Sequence, residues 1–295
     1  MILNENEDVL ATKPKKGRLI GIDADYIPYR VANVEQEDFY NCIKIVDSMI
    51  RKLSFALDST NFALFLTGRN NYRKLIREDY KLKRKDIKHL TIGKFHKSVI
   101  DYLVSEYKAN YTSGYEADDA LSLLANSFDH NDDLVIVSPD VDLLQIKGTN
   151  YNPNTGLITK VEGLGEFELC VKDNKQKKIR ATGDYLIASQ IIMGDKDECD
   201  GLDRFGTVKT YTELKDCKTK EDLYTKVIDL YLKHSDLDSL VKNTHLIRTL
   251  TNLDELKDIQ EYYGLSINIE PTFTYKSVNL YQPKQSSRGF HRPLI

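Results

Sequence analysis

The chain has 295 residues, 41 % of them apolar, enough to bury the core of one large domain or two modest ones. Its formal net charge is −3, so a grip on nucleic acid would have to come from how charge is distributed rather than from overall basicity. Four scattered cysteines (Cys42, Cys170, Cys199 and Cys217) form no CxxC pair, and no apolar run approaches the roughly 18 residues of a membrane span; this argues against a zinc site, a disulfide framework or a membrane anchor.

Residues 1–16 are polar and end in Lys13-Pro14-Lys15-Lys16, which predicts a flexible arm. Leu19-Ile20-Gly21-Ile22 is a short apolar run that stops at Asp23. The pattern recurs as Phe62–Leu66, stopping at Thr67-Gly68, and as Leu134–Val137, stopping at Ser138-Pro139-Asp140. Short continuous apolar runs alternating with helical stretches predict a buried, mostly parallel sheet. Helices are predicted at 39–57, 93–107, 116–127 and 184–193, the third opened by capping-box spacing from Ser113 to Glu116. Asn154-Thr155-Gly156 reads as a turn between strand-like pieces at 150–151 and 157–161. Beyond about residue 181 the chain is helical and polar, with little strand character until 267–281. The expected organisation is therefore an α/β core over 17–180, with helices flanking its sheet, and a mostly helical part over 181–295 packed against it as one body.

The acids gather where such a sheet binds ligands, in the crevice beyond the strand C-termini. Asp23 and Asp25 follow the first strand, and Asp140 and Asp142 follow the third. Glu116, Asp118 and Asp119 open a helix; Asp195, Asp197, Glu198 and Asp200 follow the apolar stretch Ile187–Met193. Acids in a first helical turn are also favoured by the helix dipole alone. Four clusters converging on one edge, however, would repel one another and raise each other's pKa values unless cations lay between them. Carboxylates with retained waters suit Mg²⁺, and two such ions about 4 Å apart can activate water, hold a phosphate and stabilise its leaving oxygen. The six histidines lack metal-ligand spacing.

The segment 69–97 carries eleven Lys or Arg against three acids, with Tyr72 and Tyr80 interleaved. A run of charge is as often a solvated helix face. Tyrosines among the bases favour nucleic acid, because rings stack on unpaired bases while Lys and Arg neutralise phosphates.

Taken together, these residues resemble the 5′→3′ exonuclease and flap endonuclease family, including phage replication exonucleases and the 5′-nuclease domain of bacterial DNA polymerase I. The resemblance runs from Leu19 to about residue 210, and faintly to Leu280–Pro283. Its most specific blocks are Glu116-Ala-Asp118-Asp119, Ser138-Pro-Asp140-Val-Asp142 and Gly194-Asp195. It implies a PIN-like 5′-nuclease fold with a basic arch at about 69–97, and metal ligation by Asp23, Glu116, Asp118, Asp119, Asp140, Asp142, Asp195 and Glu198. Asp197 is the other candidate for the last of these places. Two or more Mg²⁺ ions are implied, with Mn²⁺ able to substitute. Arg73, Lys81 and Arg84 match catalytic cations of the family, and Tyr72, Tyr80 and Lys83 match residues that contact DNA. A helix–turn–helix-like element is implied at Gly201, Arg204 and Gly206, gripping duplex phosphates and in relatives associated with K⁺. Two departures stand out. Gly68 replaces an aspartate common in relatives, for which Asp25 is the candidate substitute, and Arg204 replaces a glycine.

The resemblance further implies a monomeric enzyme of the cytoplasm (a host's, if phage-encoded). It would act at 5′ ends, flaps, nicks and RNA–DNA primer junctions during replication. Two alternatives remain at this stage: an RNase H-like activity as the main function, and a non-catalytic DNA-end-binding protein with an impaired metal site.

Overall fold

In the computed structural model, the structure describes residues 18–32, 38–82, 93–127, 133–171, 175–195, 197–266 and 278–281. The expected arm at 1–16 lies outside these residues, as do Lys83, Arg84 and much of the expected arch. A six-stranded sheet is built from β1 (Leu19–Asp23), β2 (Asn61–Arg69), β3 (Asn110–Ser113), β4 (Leu134–Val137), β5 (Gly148–Tyr151) and β6 (Ile158–Val161), in the order β3-β2-β1-β4-β5-β6. The first five run parallel, and β6 closes the edge antiparallel to β5 through the turn at 154–156.

The sheet is covered on both faces, which is why its central strands read as unbroken apolar runs. On one face Ile20, Ile22, Phe62 and Leu64 meet α1 (Tyr26–Ala32), α2 (Phe39–Leu57) and the helix His96–Tyr107. On the other, Leu19, Ala63 and Ile136 meet Ala117–Ser127 and the late helix Asp254–Tyr263. The helix Phe39–Leu57 has the predicted bounds: Asp38 caps it by accepting the Asn41 N–H, and Asp58 closes it in a left-handed conformation.

A third core gathers Gly183–Met193, Thr207–Leu214, Lys220–His234 and Leu237–Ile247 around Ile191, Leu223 and Tyr231. It also draws in Tyr80 and the two-stranded antiparallel ribbon of β7 (Phe167–Val171) and β8 (Lys177–Ala181). This helical body is thus stitched to residues well before position 180. No described helix is long and apolar enough to cross a membrane.

Two elements escape the sequence pattern. The strand Asn110–Ser113 is a polar edge strand, and the ribbon is a half-exposed pair with no long apolar run. The expected capping box is also displaced. Ser113 ends a strand, and the helix starts at Ala117. Its first amides are met by Thr67 Oγ1, which accepts from Ala117, and by Asp119 Oδ2, which accepts from Glu116. Of the strand character expected at 267–281, only 278–281 is described, where Tyr281 bridges antiparallel to Phe62.

Candidate active site

Strand order reverses between β1 and β4, and their C-terminal ends open a crevice there. Asp23, buried at the end of β1, accepts the Ser138 hydroxyl at 2.9 Å and the Asp25 N–H at 3.1 Å. The same Ser138 oxygen accepts the Asp140 N–H at 3.0 Å, so one hydroxyl joins the acids of two neighbouring strands. Asp140 in turn caps the 3₁₀ turn Val141–Gln145 by accepting the Asp142 N–H. Asp142 accepts a 2.6 Å hydrogen bond from Gln190 Nε2 on the helix Gly183–Met193.

The charge balance of the cluster is uneven. Burial pushes Asp23 up to about 7, the charges of Asp25 and Asp140 add to the rise, and the bonds from Ser138 and the Asp25 amide hold it back. Burial likewise raises Asp118, with Asp23 adding to it. Asp142 is raised by burial, then by Asp140 and Asp195, against the Gln190 bond. Glu116 goes the other way: burial works to raise it, but Lys81 and Arg73 outweigh that and lower it. The Lys81 ammonium lies 3.0 Å from Glu116 and 3.2 Å from Glu198, and Tyr80 donates its hydroxyl to Glu116 at 3.1 Å. Of the two acids expected after Asp195, Glu198 is therefore the one brought to Lys81. Asp197 offers that residue its backbone carbonyl, and its own N–H is accepted by Asp195.

Among the described residues no three His, Cys, Asp or Glu side chains close around one point as metal ligands do. The donor set nevertheless fits a hard divalent cation, since it consists of carboxylates. Three of them, Asp23, Asp118 and Asp142, are held toward protonation by burial and by repulsion from neighbouring acids, Asp140 among them in each case, which a cation would relieve.

Several expected roles change on this geometry. Asp119 is 0 % exposed, and both its oxygens are committed. They accept the Arg73 guanidinium at 2.6 and 2.8 Å, the Glu116 N–H and the Leu250 N–H. Its place is in the scaffold beneath the cluster rather than among metal ligands. Arg73, 2 % exposed, also donates to the carbonyls of Leu246 and Arg248, so it is a buried tie and not a cation facing a phosphate. Tyr72 is 0 % exposed and donates to the His245 carbonyl, and Tyr80 is 3 % exposed; neither ring is placed to stack on a base. Arg84 and Lys83 lie outside the described residues.

Gly68 has a steric reason. A Cβ there would lie 1.9 Å from the Thr112 carbonyl oxygen, at a register shift between β2 and β3. Asp25 reaches back toward this gap and accepts the Thr67 N–H at 2.9 Å. Gly201 is fixed by packing, because a Cβ would sit 2.2 Å from the Met193 carbonyl carbon. Arg204 adopts a left-handed φ of 59° with its side chain exposed beside Asp203, and Gly206 precedes Thr207–Leu214 without a side-chain cap.

Sequence reasoning missed Gln190, Thr67 and the linking role of Ser138. Ser138 follows β4 and Thr67 follows the apolar run of β2, where a signal existed; Gln190 lies within an apolar helix that shows none.

A family model described as "5′-3′ exonuclease, N-terminal resolvase-like domain" matches residues 22–173. A 5′-3′ exonuclease of Bacillus subtilis (strain 168) is 29 % identical over 112 residues, which is 38 % of this chain and 36 % of that protein. This chain thus aligns with little more than a third of the curated relative's length. The fold matches the flap endonuclease of bacteriophage T5 solved as a pseudo-enzyme–product complex with DNA and metal ions. There the TM-score is 0.57 and the identity 15 %, covering 84 % of this chain and 99 % of that one. A second T5 structure, co-crystallised with metal ions, matches at a TM-score of 0.54 and 14 % identity over 83 % and 96 % of the two chains. With the family model spanning more than half of its residues, the chain belongs to the 5′-3′ exonuclease family.

Proposed function

We propose that this protein is a divalent-metal-dependent 5′→3′ exonuclease and flap endonuclease that hydrolyses phosphodiester bonds near 5′ ends of DNA, as phage-type replication requires. The observation that carries this reading is the joining of Asp23 and Asp140 through the Ser138 hydroxyl at the strand switch, beside Asp118, whose charge burial, Asp23 and Asp140 disfavour. Asp23, Glu116, Asp118, Asp140, Asp142, Asp195 and Glu198 would hold Mg²⁺, with Mn²⁺ able to substitute. When bound, such ions supply activation of water and neutralisation of charge at the attacked phosphate.

The chain's own residues do the rest. Ser138 and Gln190 orient Asp23, Asp140 and Asp142. Lys81 keeps Glu116 ionised and brings an ammonium to the mouth of the crevice, where a phosphate can exchange for a carboxylate as its partner. The exposed Arg204 and the uncapped start of Thr207–Leu214 suit the backbone of an adjoining duplex. RNA–DNA primer junctions are included as substrates, and the protein acts as a monomer.

The test is cleavage of a 5′-labelled flap duplex in Mg²⁺ and in EDTA, by the native protein and by Asp140→Ala. Expected are cleavage by the native protein in Mg²⁺ only, and retained DNA binding without cleavage in the variant. Tight binding by the native protein with no cleavage in Mg²⁺ would show a DNA-end-binding protein instead. Preferential cutting of the RNA strand of a hybrid would show an RNase H-like enzyme.

A further inference from the structure

Asp195 and Glu198, the last acids of the cluster along the chain, sit on one small hairpin. Gly194–Asp195 and Cys199–Asp200 pair antiparallel, with Asp195 opposite Cys199 and Asp200 opposite Gly194. The base of this hairpin is fixed. A Cβ on Gly194 would lie 2.3 Å from the Gly201 nitrogen, and Asn243 donates its side-chain amide to the Asp200 carbonyl. The tip is tied to the turn that follows the short helix Tyr72–Ile76. There the Lys81 N–H donates to the Asp197 carbonyl at 2.7 Å, and the Lys81 ammonium lies 3.2 Å from Glu198. Lys81 does this in a left-handed backbone (φ 53°), which a residue with a Cβ keeps only where its surroundings hold it.

Arg77 makes a further tie between the two segments. Its guanidinium lies 2.7 Å from Asp79 in its own turn and 3.2 Å from Asp200 on the hairpin. The Arg77 side chain is 14 % exposed and that of Asp200 is 90 % exposed, so the hairpin reaches outward to a cation that is itself held in place. We infer that Arg77 is a positioning residue for the divalent-cation site: through Asp200 it holds the 194–200 hairpin so that Asp195 and Glu198 stay at the cluster. This role rests on the nuclease reading above, in which those two acids are ligands. Its sign separates it from simple electrostatics. A positive charge near a cation site repels the cation, so by charge alone the loss of Arg77 would tighten Mg²⁺ binding. By positioning, its loss weakens binding.

Isothermal titration of the full chain with Mg²⁺, without DNA, decides between them. Arg77→Met should raise the dissociation constant about tenfold, the lower end of what losing a group that orients a ligand costs. Asp200→Asn should do the same, and the double variant should bind no more weakly than either single one, because both remove one tie. Asp79→Asn should stay within about twofold of native, since Arg77 keeps Asp200. Arg77→Lys retains the charge without the planar pair of donors and should fall between native and Arg77→Met; it carries the test if Arg77→Met fails to fold by circular dichroism. Unchanged or tighter binding in the Arg77 variants overturns the inference, as do additive losses in the double variant. Failure of the metal reading has a different mark: Asp195→Asn would then bind Mg²⁺ as the native protein does, which overturns both.

Discussion

Replacing Arg73 with Met tests whether this cation is a structural tie or a phosphate contact. In the native fold its guanidinium donates twice to Asp119 and once each to the carbonyls of Leu246 and Arg248. Methionine fills similar volume but offers no donor. Asp119, fully buried, then keeps only the amides of Glu116 and Leu250. Removing one partner of a buried ion pair costs about 3–5 kcal/mol. Each buried carbonyl left unmet adds about 1 kcal/mol or more. The expected loss is therefore about 5–7 kcal/mol, a large share of the ~5–15 kcal/mol that holds a typical domain together. Urea unfolding followed by far-UV circular dichroism and tyrosine fluorescence measures it. The protein has 18 Tyr and no Trp, so the emission is tyrosine's own. Arg73→Met combined with Asp119→Leu removes both charges and should recover much of the loss. A midpoint within about 1 kcal/mol of native, with cleavage abolished, would refute the reasoning and restore Arg73 to the phosphate.

Three further outcomes follow from the same geometry. Gly68→Asp, which restores the aspartate common in relatives, should lower the melting temperature and not raise activity, because its Cβ would meet the Thr112 carbonyl at 1.9 Å; a stable, more active variant would show that the strand pair yields. In EDTA, the Asp23 contribution to stability should fall as pH rises from about 4 to about 7. Its folded pKa is raised, so the native state binds more protons than the unfolded chain in that window. Urea midpoints across the window should show a slope that Asp23→Asn flattens and Mg²⁺ relieves; an identical slope in the variant would assign it elsewhere. Lys81→Met should lower kcat by about 10²–10³-fold with a small change in KM, as for loss of one charge-stabilising donor; weaker binding of every DNA with kcat unchanged would make Lys81 a phosphate anchor.

The strands β1, β2 and β4, and the acids at the ends of β1 and β4, are legible in sequence, because a doubly covered parallel strand must be apolar throughout and must stop where the crevice begins. The basic stretch misleads for a physical reason. Tyr72, Arg73 and Tyr80 look like a groove lining because they sit among lysines. Yet Tyr72 and Arg73 are buried against residues near 245–248, some 173 positions away in the chain, and no local pattern encodes contacts at that separation. The same holds for Asp119. It sits in the first turn of the helix Ala117–Ser127 beside Asp118 but turns about 100° away from it, toward Arg73. Gln190 is hidden because its helix is apolar on nearly every side.

The tie through Asp119 also sets an order of assembly. Its Oδ1 accepts the amide of Leu250, 131 residues downstream, and the Arg73 that grips the same carboxylate leans on the carbonyls of Leu246 and Arg248. A growing polypeptide leaving the ribosome holds every acid of the crevice long before it holds these backbone partners. Its carboxylates then have no finished foundation until residues 246–250 have been made and have docked.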